Sequence, residues 1–130
     1  MKDNQTHRGL MTLEQMMAKV KAHPDFSKAG MILAHNGVVR QTSRDGRKVT
    51  GLRVAVDRNK LDRILAFKKE TPGIIEILVN IFDEQDLAVG DDVMFLVVAG
   101  DIRETVIATL KETLDEIKST VTSKTEFYLK

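Results

Sequence analysis

The sequence contains no cysteine, and this absence excludes several kinds of chemistry together. Without thiols the chain can form no disulfide, use no thiolate nucleophile and bind no metal through sulfur. Aromatic residues are also scarce, at 5% of the chain, so stacking platforms for single-stranded nucleic acid are few. The lack of cysteine fits a reducing compartment, and we expect a cytoplasmic protein.

Long hydrophobic runs and an excess of one charge are missing as well. The longest apolar stretches, IIEILVNIF and VMFLVVA, are far shorter than the roughly 20 residues that a membrane-spanning helix needs. The polar start, MKDNQTHRGL, lacks the apolar core of a signal peptide. Basic and acidic residues nearly balance, at 20 against 19, so any anion site must be a local cluster of cations. We therefore expect no membrane partner and no nucleic acid partner.

Common catalytic and metal-binding motifs are absent from the sequence. There is no P-loop, no G-x-S-x-G elbow and no G-x-G-x-x-G fingerprint. The histidines, His7, His23 and His35, are scattered without metal-ligand spacing, and we interpret His35 as an ordinary core or rim residue. The acidic stretch 83–92 lacks the alternation of an EF-hand, so we interpret it as a solvated turn. The sequence thus predicts neither a metal site nor a bound cofactor.

The order of apolar patterns along the chain predicts the fold class. With 130 residues, of which 42% are hydrophobic, the chain is long enough for one domain with a real core. The pattern α-ββ-α-ββ-α-β predicts an α+β domain with a mainly antiparallel sheet and helices packed on it. We expect strands over residues 31–39, 49–56, 74–82 and 93–99, with a β-like or irregular end over 123–130. Asp45-Gly46 predicts a hairpin turn that pairs the first two strands.

Capping residues predict where the helices begin and end. Thr12 and Gln15 form a candidate capping box, and Pro24 ends the first helix. Asp57 is the candidate cap of a helix that ends at about residue 69. Asp101 with Glu104 predicts the start of the last helix, over residues 102–118. Its predicted apolar stripe comprises Ile102, Val106, Leu110, Leu114 and Ile117.

Four cations stand at the ends of predicted elements. Arg40 follows the first strand, Arg103 begins the last helix, Lys118 ends that helix, and Lys124 lies six residues beyond. The planar arginine fork binds phosphate or carboxylate, and a lysine can act as a general acid or attack an activated acyl group. On composition alone, exposed solubilising charge remains the simpler interpretation of each residue.

Three stretches of the sequence, GMILAHNGVVR, LAVGDDVMFLVVAGDIR and LDEIKSTVTSKTEF, carry a resemblance to a known family. In order and spacing they resemble the large, catalytic subunit of molybdopterin synthase, over most of residues 30–130. The resemblance implies a fold of the α/β hammerhead type, with residues 1–29 as an N-terminal helical extension of the single domain. It also implies a homodimer that converts cyclic pyranopterin monophosphate to molybdopterin. Sulfur would come from the thiocarboxylated Gly-Gly tail of a ubiquitin-like small subunit.

The resemblance assigns roles to the four cations. Arg40 and Arg103 match the family's substrate-binding arginines, and Lys118 and Lys124 match its active-site lysines. A phosphate and a thiocarboxylate are both anionic, so a pocket that receives both needs cations. The remaining cations of the first loop, Arg44, Arg47 and Lys48, are interpreted as a solvated hairpin tip.

The sequence also departs from the family pattern at pocket positions. Ile102 stands where the family has a histidine, and Val56 falls within a Glu-His-Tyr-like run of the family. Val121, Thr122 and Ser123 replace its Pro-x-Trp. Two hypotheses follow from this pattern: an active sulfurtransferase, or a non-catalytic relative that serves as a binding or regulatory module for a ubiquitin-like partner. A nucleic-acid binder that uses the basic loop is a third, which the charge balance and the few aromatics disfavour.

Overall fold

The protein is described by a computed structural model that covers residues 10–130. His7 and the first part of the expected N-terminal extension lie outside these residues. The helical elements are α1 (Leu13–Lys21), a 3-10 turn (Phe26–Lys28), α2 (Arg58–Lys69), α3 (Arg103–Glu116) and a π turn (Ile117–Val121). The strands are β1 (Met31–Val38), β2 (Val49–Val56), β3 (Ile74–Ile81), β4 (Leu87–Ala88), β5 (Asp92–Gly100) and β6 (Thr122–Tyr128).

The strands form two separate three-stranded sheets, in which every pairing is antiparallel. The first sheet has the order β1-β5-β3, and the second has the order β4-β2-β6. With three α-helices beside these antiparallel sheets, the α+β prediction is confirmed. The chain enters the second sheet through β2, returns to the first through β3 and β5, and ends in the second with β6.

The predicted hairpin of the first two strands is wrong. β5 is apolar on both faces and nearly fully buried, so it takes the centre of its sheet and pairs with both β1 and β3. β1 pairs with β5 from Met31 to Val38, while β2 pairs with β6 instead. The Asp45-Gly46 turn does form, with φ +88° at Gly46, but it closes only a short loop bridged by Thr42 and Lys48.

Two of the three predicted helix caps are present. The Thr12–Gln15 capping box is complete, and Lys60 N donates to Asp57 Oδ1 (3.1 Å) at the start of α2. The Asp101 cap is wrong, because Asp101 N is bonded to Gly73 O and its carboxylate accepts from Ile102 N instead. Ile102 is therefore the N-cap of α3, without a side-chain bond, and its 56% exposure removes it from the apolar stripe.

The first sheet is covered on both faces, and this arrangement positions α3. Leu96 and Val98 of β5 pack with Val106 of α3 on one face. Phe95 and Val97 face the main core on the other, where Phe95 meets Phe82 edge to face (5.2 Å between ring centroids). α3 thus lies along the first sheet, and its end leads through the π turn into β6 of the second sheet.

The acidic stretch 83–92 is not the solvated turn that the sequence suggested. Its Leu87 is buried in the core, because β4 pairs there with β2. Asp91 and Asp92 are also buried, and the Asp91 carboxylate accepts from Ala88 N (2.8 Å). None of the helices described over residues 10–130 is long and apolar enough to cross a membrane.

Candidate functional site

A cavity of about 450 Å³ lies between the two sheets, and we call it the inner cavity. Its wall is largely apolar, built from side chains of β2, β3 and β5: Leu52, Val54, Ile81, Val93 and Met94. Three cations, Arg44, Lys118 and Lys124, complete its lining together with His35 of β1. An apolar wall with a few charged groups is the usual character of a small-molecule site.

A second, smaller cavity of about 250 Å³ shares Arg44, Lys118 and Lys124 with the inner cavity, and we call it the outer cavity. It adds Arg40, Thr42 and Glu126. Four cations from two distant parts of the chain, the β1–β2 loop and the segment from the π turn into β6, therefore surround one site. Three of them, Arg40, Lys118 and Lys124, are residues that the sequence predicted.

Lys118 is presented by the π turn that follows α3. Ile117 and Val121 are both buried and anchor the two ends of this turn, whereas Lys118 between them is exposed. The turn is also bonded to α2, because Asp57 N donates to Val121 O (2.9 Å). Single turns of π-helix occur frequently at functional sites. Here the wider turn ends α3 between the sheets and leaves the lysine at both cavities.

Lys124 faces the site from the edge strand β6. It pairs with the buried Val54 of β2, so both side chains point toward the same face of the sheet. Lys124 Nζ lies 3.9 Å from Glu126 Oε2, and the Lys124 side chain remains 61% exposed. Tyr128 Oη donates to Glu126 Oε1 (2.9 Å), and this bond raises the pKa of Tyr128. Glu126 thus balances part of the positive charge of the site.

The loop between β1 and β2 brings two arginines to the site. Arg40 Nε donates to Thr42 O (2.8 Å), and Arg44 lines both cavities. Buried Ser43 organises the loop, since its hydroxyl bonds Asp45 and accepts from Arg47 N (3.0 Å). The Ser43 bond lowers the pKa of Asp45.

Arg44, Arg47 and Lys48 are all exposed, as the interpretation of a solvated hairpin tip requires, but two of them also make contacts that the sequence did not suggest. Arg44 lines the site. The Arg47 guanidinium carbon lies 3.5 Å from the centre of the Tyr128 ring, a cation–π contact that fastens the loop to β6. Lys48 remains exposed.

His35 is a half-buried rim residue of the inner cavity, one of the two positions that the sequence suggested, but its ring is not fully hydrogen-bonded. Its Nε2 is buried and has no hydrogen-bond partner within residues 10–130. Burial lowers the pKa of His35, and the charge of Lys118 lowers it further. The imidazole is therefore neutral at pH 7, and His35 belongs to the lining of the inner cavity.

Arg103 does not line the site of its own chain. It begins α3 with its side chain 74% exposed, and its guanidinium lies 3.5 Å from the Glu104 carboxylate. Neither cavity includes it in its lining. As for metals, residues 10–130 contain no group of three or more His, Asp or Glu side chains that could hold an ion.

Sequence reasoning missed Arg44 and His35. Arg44 belongs to the basic loop, but only the pairing of β2 with β6 turns this loop toward the cavities. A signal for His35 did exist, since an imidazole two residues before Gly37 on one strand face can lie over the glycine. A Cβ on Gly37 would be 3.3 Å from His35 Nε2.

Comparison with known proteins shows what this fold and site are similar to. The family model described as MoaE protein matches residues 7–120. No curated protein matches the sequence.

Several solved structures share the fold. The molybdopterin synthase of Staphylococcus aureus has a TM-score of 0.75 and 20% identity, with 92% of this chain and 86% of that chain covered. The molybdopterin cofactor biosynthesis protein E of Burkholderia multivorans has a TM-score of 0.71 and 20% identity, with coverage of 92% and 84%. A complex of subunits 1 and 2 of the molybdopterin-converting factor of Helicobacter pylori has a TM-score of 0.67 and 16% identity. The match covers 91% of this chain and 81% of that chain.

Proposed function

The chain belongs to the MoaE protein family and thereby to molybdenum cofactor biosynthesis, and from this premise we propose that it is the large subunit of a molybdopterin synthase. In this role it converts cyclic pyranopterin monophosphate to molybdopterin in the cytoplasm. The two sulfur atoms come one at a time from two thiocarboxylated C-termini, each on a small, ubiquitin-like subunit that is left with an ordinary carboxylate. The protein is then a sulfurtransferase that uses its own side chains and no bound metal or cofactor.

The observation that carries this proposal is the convergence of Arg40, Lys118 and Lys124 on one site from two distant parts of the chain. A volume of about 450 Å³ suits a small heterocyclic molecule, and the apolar wall suits the faces of its rings. The phosphate of such a substrate would lie among the cations, where Arg40 and Arg44 offer planar forks of N–H donors. The substrate thus matches the site at both its apolar and its anionic parts.

Lys118 and Lys124 have the chemistry that sulfur transfer needs. A thiocarboxylate that enters the site is an anion and is attracted by both ammonium groups. An N–H donor beside the thioacyl group stabilises the negative charge that develops when the substrate carbon takes the sulfur. In its deprotonated form a lysine can instead attack the acyl carbon, which forms an amide bond with the tail and releases the sulfur as hydrosulfide to the substrate carbon. We assign the main catalytic role to Lys118, because the π turn holds its backbone between two buried anchors.

Arg103 fits this scheme if the protein is a two-fold homodimer. The residue is exposed at the start of α3, and Ile102 and Ile107 beside it are 56% and 46% exposed. Exposed apolar side chains around an arginine that lines neither cavity of its own chain favour a protein interface at this end of the helix. We propose that Arg103 of one protomer reaches the substrate bound by the other.

The alternative is a non-catalytic relative that binds the ubiquitin-like partner without transferring sulfur. It is favoured by the side chains at family pocket positions, since Ile102 and Val56 offer no imidazole there. The cations would then bind only the anionic tail of the partner. This protein would still form the complex but would not consume the pterin.

Reconstitution separates these possibilities. The small partner is captured from the native cell with the full chain and identified by mass spectrometry as a protein that ends in Gly-Gly. Its thiocarboxylated form is then mixed with the full chain and cyclic pyranopterin monophosphate, and dithiolene formation is measured. Conversion that is lost in Lys118→Ala supports the synthase. Complex formation without conversion supports the binding module, and neither complex nor substrate binding would overturn both proposals.

A further inference from the structure

The polar groups that can recognise an uncharged part of a ligand are few in the inner cavity. Among the described residues that line it, the uncharged polar side chains are His35 and Thr122. The Thr122 hydroxyl already donates to Ile117 O (3.3 Å). His35 Nε2 is buried and has no partner within residues 10–130. Buried polar atoms in native proteins are nearly always hydrogen-bonded, so an unpaired ring nitrogen in a residue that lines a cavity indicates a partner that arrives with a ligand.

The local backbone makes room for this imidazole. His35 and Gly37 lie two residues apart on β1, so they share one face of the strand. A Cβ on Gly37 would come within 3.3 Å of His35 Nε2, which is closer than such contacts ordinarily are. The ring therefore occupies space that a side chain at position 37 would restrict.

The charges around His35 fix its protonation state. The π turn contributes Lys118, β6 contributes Lys124, and the β1–β2 loop contributes Arg44. All three are positive, and none of residues 10–130 places a carboxylate in the lining of the inner cavity. Burial and Lys118 lower the pKa of His35, so the ring is neutral at pH 7. A neutral imidazole offers Nε2 as one donor or one acceptor, so it can bond a C=O or an N–H group and adds no positive charge to attract a phosphate.

We propose that His35 is a specificity-determining residue whose Nε2 forms a hydrogen bond with an N–H or C=O group on the edge of a flat heterocyclic ligand in the inner cavity. The inference rests on the proposed function, which supplies a pterin as that heterocycle. It divides recognition between two parts of the site. The cations bind the phosphate, and His35 distinguishes the ring system from other phosphorylated molecules.

The test uses the full chain and two probes, cyclic pyranopterin monophosphate and inorganic phosphate, in calorimetric titrations at pH 7.5. We expect His35→Phe to bind the pterin about tenfold more weakly, as for one lost hydrogen bond in a buried site, and to bind phosphate as the parent does. His35→Gln keeps a polar group at a similar reach and should retain most of the affinity. Asn36→Ala, on the other face of β1, is the matched control and should bind both probes normally.

Thermal unfolding of the unliganded variants provides an independent readout. Replacing an unpaired buried polar group with an apolar ring of similar size is neutral or stabilising, so His35→Phe should unfold at the parent temperature or higher. Gly37→Ala should weaken pterin binding in the parent but have little further effect in the His35→Phe background, because the two changes act through one ring.

Each outcome decides between the claims. If the parent binds the pterin but His35→Phe binds it equally well, the His35 assignment fails and the proposed function stands. If His35→Phe unfolds several degrees lower, or weakens phosphate and pterin alike, His35 is a structural residue and the assignment fails. If the parent does not bind the pterin, both the proposed function and this inference are wrong.

Discussion

Removing a negative charge from the site should raise its affinity for an anion. Glu126 lines the outer cavity, and its Oε2 lies 3.9 Å from Lys124 Nζ. In the unliganded protein this carboxylate therefore competes with an incoming phosphate for the same ammonium group. Glu126→Gln preserves the size of the side chain and an acceptor for the Tyr128 hydroxyl, so it changes little besides the charge.

The size of the effect follows from the exposure of the pair. The Lys124 side chain is 61% exposed, so its attraction to Glu126 is that of a solvated ion pair, about 0.5 to 1 kcal/mol. If the phosphate no longer has to displace Glu126 from Lys124, its dissociation constant should fall by about twofold to fivefold. Since solvated ion pairs are screened by salt, the gain should shrink between about 50 mM and 500 mM NaCl.

The assay is calorimetric titration of the parent and the variant with cyclic pyranopterin monophosphate at both salt concentrations. Asp62→Asn, on the exposed surface of α2, removes the same charge outside the site and serves as the control. It should leave the affinity unchanged. Weaker binding by Glu126→Gln would refute the reasoning and would show that Glu126 contacts the ligand, and an equal gain in the control would point to net charge alone.

Three further changes test other parts of the site. Lys118→Ala should unfold at the parent temperature, because its side chain is exposed, but should lower dithiolene formation by about 100-fold or more in the reconstituted assay. Arg47→Ala loses the contact with the Tyr128 ring and should lower the melting temperature. Because the loop that carries Arg44 is then held less firmly, the affinity for phosphate should fall as well, and an unchanged affinity would contradict the role of the loop. Because the pKa of His35 is lowered in the folded protein, its neutral form adds stability that is fully present above pH 6.5 and is lost as the pH falls through the folded-state pKa. In His35→Phe the melting temperature should therefore depend less on pH below 6.5.

Most of the secondary structure could be predicted from local patterns, because helix caps and strand runs depend on interactions between residues that are close in sequence. The Thr12 and Asp57 caps formed as the residue types indicated. The pairing of β1 and β2 could not be predicted, although a suitable turn lies between them. The pairing of strands depends on where the most apolar strand is buried. Here that strand is β5, and it pairs with β1, which lies more than fifty residues earlier in the sequence.

The site was only partly predictable for the same reason. Arg40, Lys118 and Lys124 were found through the family resemblance, and they lie together. Arg44 and His35 could not be assigned, because a loop cation and a strand histidine acquire their surroundings from segments far away in sequence. The Asp101 cap failed for a related reason, since a long-range bond from Asp101 N to Gly73 O fixes the backbone before the helix can begin there.

The polar groups of this site are distributed differently from what the family pattern implies. The family's histidine before the helix-start arginine corresponds to Ile102, which is exposed and outside both cavities. This chain instead has an imidazole at His35 and an additional guanidinium at Arg44, both supplied by β1 and the loop that follows it. Under the proposed function, the residues that line the two cavities bind the substrate within one protomer, and Arg103 adds a contact only from a second one. We accordingly expect substrate binding to persist when the protein is diluted to monomers, and sulfur transfer to fall with the dimer.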